Sequence, residues 1–418
     1  MATTSSPAEA QIGQRETARR PELDALRLLV VFGLFFFHSA LIFHPTDDYY
    51  LKNDRTSEVV TFLTAIAVVW AMPLLFLVAG MGARFSLRHR SAGAFAKERV
   101  KRLLVPLVFG TIVLMPIPVW FRLRIDPSYT QSYLSFWADF LRVRFVPGEF
   151  PFVVQGAQPQ ELFETGQLWF LVLLFTFSLL FLPLLLWLRG DAGSRAIDRL
   201  GQLAERRGVI LLAALPIAIV GAALDLEEGF AAWNRWEYAF FFLYGFIAVT
   251  DGRFAAAMRR DAPIAAVVGV LTWFGAFGLY AVADGAGQDP LTAYSPASIG
   301  FRAVMAISGW AWLVAIMGYV GRRVPERHGP SAGGRPGLAA RLGPWANEAT
   351  LPLYVVHQPV IVAIGFVVIR WSIPAFGKYL AISLGSLAVA CAIYQLLIRV
   401  YRPTRFLFGM KPLAKPTG

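Results

Sequence analysis

The sequence predicts an all-α integral membrane protein of about ten transmembrane helices, and three observations carry that expectation. Runs of roughly 20 apolar residues recur from Leu26 to Val400, each long enough to cross the hydrocarbon core as a helix. Of 418 residues, 56% are hydrophobic and only 16% are charged, too little charge to cover a soluble protein of this size. Lys and Arg also alternate along the connections. The N-terminal stretch, the even-numbered loops and the C-terminal tail hold 29 of them, and the odd-numbered loops hold 9. That asymmetry is the positive-inside pattern and puts both termini in the cytoplasm. The net charge of +12 therefore suits anionic lipid heads rather than nucleic acid.

The expected spans are 26–44, 59–82, 103–121, 167–188, 208–224, 235–250, 262–283, 299–320, 350–369 and 378–400. Residues 1–20 are polar and basic with no apolar core, so no cleavable signal peptide is expected and the first span serves as its own insertion signal. Between spans two and three, "SAGAFAKERVKRLLV" (91–105) reads as a basic amphipathic helix lying on the cytoplasmic surface and running into span three. Residues 122–166 form a long outside connection rich in aromatics, among them Tyr129, Tyr133, Phe136, Trp137, Phe150 and Phe152. The Gly/Pro/Arg-rich stretch 321–345 reads as a flexible loop. The expected organisation is a disordered cytoplasmic N-terminus (1–21), one transmembrane domain (22–403) and a cytoplasmic tail (404–418). The single cysteine, Cys391, lies in an apolar run and excludes an intramolecular disulfide, a thiolate zinc cluster and a CxxC redox pair.

Polar side chains at membrane depth are costly, so each needs a reason. In "DALRLLVVFGLFFFHSALIFH" (24–44), Arg27 and His38 are eleven residues apart, close to three helical turns. They share one face about 16 Å apart along the axis. Because span one enters from the cytoplasm, Arg27 sits at the inner mouth and His38 past the midplane. An imidazole that stays neutral there can accept a proton; the alternative is a histidine satisfied by a backbone carbonyl or a neighbouring hydroxyl. His357 lies in "NEATLPLYVVHQPVIVAIG", where Pro352 and Pro359 each free a carbonyl one turn earlier, at Glu348 and Val355. Irregular backbone at that depth is tolerated where it lines a cavity, and Gln358 adds donors and acceptors at the same level. A Pro-kinked structural helix is the other reading. Arg99 and Arg102, three apart in "KERVKRLLVP", project from one face and suit a polyanionic phosphate group, or else simply anchor the loop. Trp169 opens span four at an interface, where Trp usually belongs to an aromatic belt. Arg302, near the outer end of span eight, either snorkels outwards or pairs inside a cavity. No GxSxG elbow, P-loop, HExxH or dinucleotide fingerprint occurs, and the five histidines are too widely spaced to suggest a metal site.

Taken together, these stretches resemble a known family. "RLLVVFGLFFFH" is similar to the R-x10-H signature in the first span of the membrane acyltransferase family 3. "MPLLFLVAGMGARFSL" followed by "KERVKRLLVPLVFG" resembles that family's second span and its R-x-x-R-x-x-x-P entry to the third. "GQLWFLVLLFTFSLLFLP" resembles its LWFL fourth span, and "ANEATLPLYVVHQPVIV" is most similar to the branch that includes osmoregulated periplasmic glucan succinyltransferases. The resemblance runs from about 22 to 400. It departs from the family at Ala79, where a serine often precedes the glycine, and at Gln167, where a histidine often precedes LWFL.

The resemblance implies transfer of an acyl group from a cytoplasmic acyl-CoA-type donor to a hydroxyl of an extracytoplasmic glycan. It implies His38 and Arg27 as the catalytic residues and Arg84, Arg99 and Arg102 as donor-binding residues. Trp169, Arg302, His357 and Gln358 would line the acceptor cavity. Acyl-CoA serves as co-substrate and no metal or resident cofactor is expected. The expected partners are the donor, the glycan, membrane lipid and, as one option, a second copy in a homodimer; nucleic acid is not among them. The expected location is a bacterial-type inner membrane. A proton-coupled transporter or exporter of a glycan is the competing function, though such proteins often show internal repeats and intramembrane carboxylates, and neither is evident here.

Overall fold

The computed structural model describes residues 21–323 and 338–413. All ten apolar runs are helical in it. The first helix, α1, spans Pro21–Leu41. Ser57 caps α2 (Glu58–Arg88), its hydroxyl accepting the Val59 N–H at 3.3 Å and so satisfying one of the donors left over at a helix start. Helix α3 runs unbroken over Ala92–Leu123, so the basic amphipathic stretch is the opening of a span. Two wide π-type turns, Val100–Leu104 and Gly110–Leu114, flank Pro106. Proline has no N–H to give the Arg102 carbonyl, and a π turn is one way for a helix to absorb that loss.

The 122–166 connection is more ordered than a loop. It holds α4 (Tyr133–Phe140) and a small hairpin, β1 (Val143–Phe145) antiparallel to β2 (Val154–Gly156), with Val143 opposite Gly156. The all-α expectation missed these strands because three-residue strands are too short to show alternation. The fourth span is bent: α5 (Gly166–Leu180) and α6 (Leu182–Arg189) meet at 53°, with Pro183 in the first turn of α6. Surface helix α7 (Asp191–Ala204) follows. Next come α8 (Val209–Ala223), whose first 5 residues are 3-10, and the 12-residue α9 (Glu237–Ala248). These two reach roughly 25 and 18 Å by helical rise, against a hydrocarbon core of about 30 Å. The long helices α10 (Gly252–Gly285), α11 (Pro296–Arg323), α12 (Leu338–Val368) and α13 (Ala375–Ile398) complete the bundle, and α14 (Arg402–Leu407) ends it.

Among the described residues, seven helices are long and apolar enough to cross a membrane. The bent pair makes an eighth, and α8 and α9 are the predicted spans that fall short. The predicted 321–345 loop is trimmed by α11 and α12; residues 324–337, and the predicted disordered 1–20, lie outside the described residues. The predicted tail is also partly folded, as α14 and the packed residues after it.

Helix α8 packs one face along α11 and keeps Leu212, Leu215 and Ile219 exposed, α9 packs along α2, and α12 packs on both α1 and α13. The α2–α9 crossing depends on two glycines. A Cβ on Gly80 would collide with the Phe242 carbonyl, and one on Gly245 with the Leu77 carbonyl. Small residues at such a crossing let backbones touch where apolar burial supplies no drive between helices. Helix α10 keeps only 22% of its apolar window buried and turns Leu271, Phe274 and Val267 outward, as a lipid-facing helix should.

Candidate active site

Two unlike cavities approach each other through α1, α5 and α12. The first, of about 930 Å³, is lined by Asp24 and Arg27 of α1, by Arg99 and Arg102 of α3, and by Tyr354 of α12, among others. Arg27 reaches it across α2. Its guanidinium donates to the Val78 carbonyl at 2.9 Å and lies 3.5 Å from the Asp24 carboxylate. Gly82 permits this, since a Cβ there would stand 3.0 Å from the guanidinium. Arg102 pairs with Glu98 at 3.5 Å. Arg99 lays its guanidinium 4.6 Å above the Phe95 ring, and its Nε is buried with no hydrogen-bond partner. The wall is therefore cationic, with donors to spare for phosphate oxygens.

The second cavity, of about 560 Å³, is lined by His38, Tyr49, Gln167, Trp169, Arg235 and Gln358 together with three carboxylates, Glu149, Glu161 and Glu164. Trp169 packs 5.3 Å from Tyr238 and 5.4 Å from Phe230. Arg235 lies 5.3 Å from both Phe152 and Phe230 and is held in a fork by Glu227, with Nε at 3.0 and 3.1 Å from the two carboxylate oxygens. Glu164 accepts the Tyr50 hydroxyl and stands 3.7 Å from Arg122. Burial pushes its carboxyl above the usual carboxylate range, with Arg122 opposing the rise. Flat aromatic faces beside carboxylate acceptors make a surface suited to a sugar.

His38 lines the second cavity, and His357, which is among the described lining of neither, packs between it and Tyr354 of the first. His38 stacks on Tyr49 with centroids 5.9 Å apart and faces His357 at 5.1 Å. His357 is fully buried. Its Nδ1–H donates to the Tyr354 carbonyl, because a carbonyl can only accept. That fixes the tautomer and leaves the Nε2 lone pair, which has no partner; the Nδ1 of His38 has none either. Rings continue the line: Tyr354 sits 5.6 Å from His357 and 5.6 Å from Phe170, and Phe35 is 5.8 Å from His357. This layer of rings separates the basic cavity from the aromatic one.

Pro359 explains why Gln167 belongs here. The proline cannot donate to the Val355 carbonyl, and the Gln167 side-chain amide donates to it instead, at 3.2 Å. In return the Tyr354 hydroxyl donates to the Gln167 backbone carbonyl. The start of α5 is thereby clamped to the middle of α12. With its amide nitrogen committed, Gln167 turns a buried, unpartnered Oε1 to the site.

The structure thus brings together Arg27, Arg99 and Arg102 in one cavity, His38, Trp169 and Gln358 in the other, and His357 between them. Two predicted residues stand elsewhere. Arg84 is not among the described residues lining the basic cavity and lies over the Phe246 ring at 5.4 Å. Arg302 is fully buried and donates to the carbonyls of Gly221 and Leu291 at 3.0 Å and of Ala222 at 3.4 Å. It caps the end of α8, and the described residues of the two cavities do not include it. Sequence reasoning missed Tyr49, Tyr354, Glu164 and the partnership of Gln167. Only the last had a signal, the carbonyl freed by Pro359. His44, at the end of the opening stretch, accepts the N–H groups of Thr46 and Asp47 and so caps a turn.

Comparison with curated proteins finds no match, and comparison with solved structures finds none. A family profile described as an acyltransferase domain does match, over residues 20–395. That match takes in His38, His357 and Arg27, Arg99 and Arg102 of the basic cavity, and on it the chain belongs to the acyltransferase 3 family and is a multi-pass membrane acyltransferase.

Proposed function

We propose that the protein moves an acyl group from a cytoplasmic acyl-CoA-type donor to a hydroxyl of an extracytoplasmic glycan. The observation that carries this reading is a cationic cavity and an aromatic, carboxylate-lined cavity that share α1, α5 and α12, with His38 in the wall of the second and His357 packed between it and Tyr354 of the first. The positive-inside pattern supports a cytoplasmic position for the basic cavity. Arg27, Arg99 and Arg102 grip the donor's phosphates there, and the acyl thioester extends past Tyr354 towards the histidines. The sugar enters the other cavity against Trp169 and Phe230.

His38 then acts as general base. As the glycan oxygen attacks the thioester carbon, its proton passes to the imidazole. The tetrahedral intermediate collapses with loss of the C–S bond, and the imidazolium returns the proton to the departing thiolate. His357, its tautomer fixed by the Tyr354 carbonyl, offers its Nε2 lone pair to the transient imidazolium, as a buried partner orients the base in other acyl transfers. Oε1 of Gln167 is an acceptor for an incoming hydroxyl. The test is single-turnover transfer by purified protein in lipid nanodiscs, given acyl-CoA and a glucan oligosaccharide. Wild type should release CoA only when the acceptor is present and His38→Ala should not; equal release by both would overturn the assignment.

A further inference from the structure

The family match ends at residue 395, yet the basic cavity does not. Phe408, Gly409, Met410 and Lys411 line it as well. We infer that this C-terminal segment is a built part of the donor site, in which the turn at Gly409 positions Arg102 and Lys411 adds a cation for the donor's phosphates. The inference rests on the donor reading above and extends it to residues outside the acyltransferase domain.

Three features show that the segment is anchored. Arg405, only 5% exposed, donates to the Lys411 carbonyl through Nε at 3.0 Å and Nη2 at 2.7 Å and to the Arg399 carbonyl at 3.0 Å, and it pairs with Glu348 of α12. One buried guanidinium therefore fixes both ends of the segment to the helix that carries His357. Phe408, buried, packs edge-on against Phe109 of α3 with centroids 5.3 Å apart. Gly409 has φ +66°, a left-handed conformation that costs residues with a Cβ.

The glycine is placed where space is least. A Cβ on it would stand 2.7 Å from the Arg102 carbonyl and 2.9 Å from the Pro106 ring. That carbonyl is the one Pro106 leaves without its helical donor. From the other side, the Arg102 Nε donates to the Gly409 carbonyl at 3.4 Å. Arg102 is thus held between Glu98 and the tail, and the tail turn sets where its remaining N–H groups point. Lys411 is exposed and lines the same cavity as Arg99 and Arg102.

The test is calorimetric titration of CoA into the full-length protein in nanodiscs. Gly409→Ala should bind CoA about tenfold more weakly, because strain and the Cβ both displace Arg102. Lys411→Ala should lose about twofold to fivefold, with the difference shrinking as salt rises. Phe406→Ala, an exposed position on α14, should bind as wild type does. Lys411→Ala carries no folding risk, so it keeps the test decisive where Gly409→Ala expresses poorly. Wild-type affinity in both Gly409→Ala and Lys411→Ala overturns the assignment of the tail while leaving the donor reading intact. Equal loss in Phe406→Ala overturns it too, as general damage. Wild-type protein that binds no CoA overturns the donor reading and this inference with it.

Discussion

If His38 and His357 act on one proton, removing them must have non-additive effects. General-base assistance is worth about 10²–10⁴ in rate, or about 2.7–5.4 kcal/mol at 1.36 kcal/mol per decade, so His38→Ala should cost that much in single-turnover transfer. His357 touches no substrate atom in this scheme; it supports His38 across the 5.1 Å between their centroids. His357→Asn keeps an N–H for the Tyr354 carbonyl but withdraws the Nε2 lone pair, and should cost about 10–100-fold. With His38 absent, His357 has nothing to support, and the double variant should be no slower than His38→Ala. The coupling free energy should then equal the whole effect of His357→Asn, about 1.4–2.7 kcal/mol. The assay is CoA release in one turnover, with CoA affinity measured in parallel to show that donor binding survives. Rates that multiply, with the double variant slower by the product of the two losses, would refute the shared-proton scheme.

Four further outcomes are expected. Arg99→Ala with Arg102→Ala should raise the KM for the donor while leaving membrane insertion intact, and Arg102→Lys should recover little of it because a point charge does not replace a two-pronged donor; unchanged donor KM in the double variant would reduce these arginines to anchors. Reporter fusions after Arg102 and Gly418 should read cytoplasmic and one within 129–160 external, and an external reading at the C-terminus would reverse the assignment of the cavities. Gln167→Leu strands the buried Val355 carbonyl that Pro359 frees, so it should cost about 1–3 kcal/mol, read as a lower thermal midpoint; a wild-type midpoint would show that carbonyl to be satisfied another way. Burial pushes the Glu164 carboxyl up, so its charge costs folding stability at neutral pH, and that cost is relieved as pH falls through the raised value. Glu164→Gln should therefore flatten the midpoint's dependence on pH in the mildly acidic range, and an unaltered slope would contradict this.

How much of this was legible beforehand depended on the range of the signal. Helices declare themselves through apolar length, and all ten runs are helical; the hairpin at Val143–Phe145 and Val154–Gly156 has no such signature. Helical spacing placed Arg27 and His38 on one face, and the R-x-x-R pair was visible at once. What sequence could not give was which side chains from distant helices share a space. Arg302, expected either to snorkel outwards or to pair inside a cavity, spends its donors on carbonyls at the end of α8 and in the loop before α11. Arg84 lies close in sequence to Arg99 and Arg102 but projects from α2 over Phe246 of α9. His357 lies more than 300 residues from His38, and only the packing of α12 on α1 brings their rings together. What seats the described part of the tail, a buried Arg405 against Glu348, is a long-range pair with no local pattern in the sequence.

The layer of rings between the cavities has a bioenergetic consequence. A chain that delivered its acyl group through a continuous wet passage would also conduct ions, and an energised membrane cannot sustain such a leak; each elementary charge falling through 100 mV dissipates about 2.3 kcal/mol. Phe35, Phe170, Tyr354 and the two imidazoles close that route with low-dielectric material. An uncharged acyl group can be handed across such a plug at the cost of a small side-chain motion, whereas a hydrated proton or sodium ion meets the full penalty for shedding its water. On the proposed reading, the same few rings that seat the chemistry would also insulate, letting a covalent group pass from one aqueous phase to the other while the membrane potential stays intact.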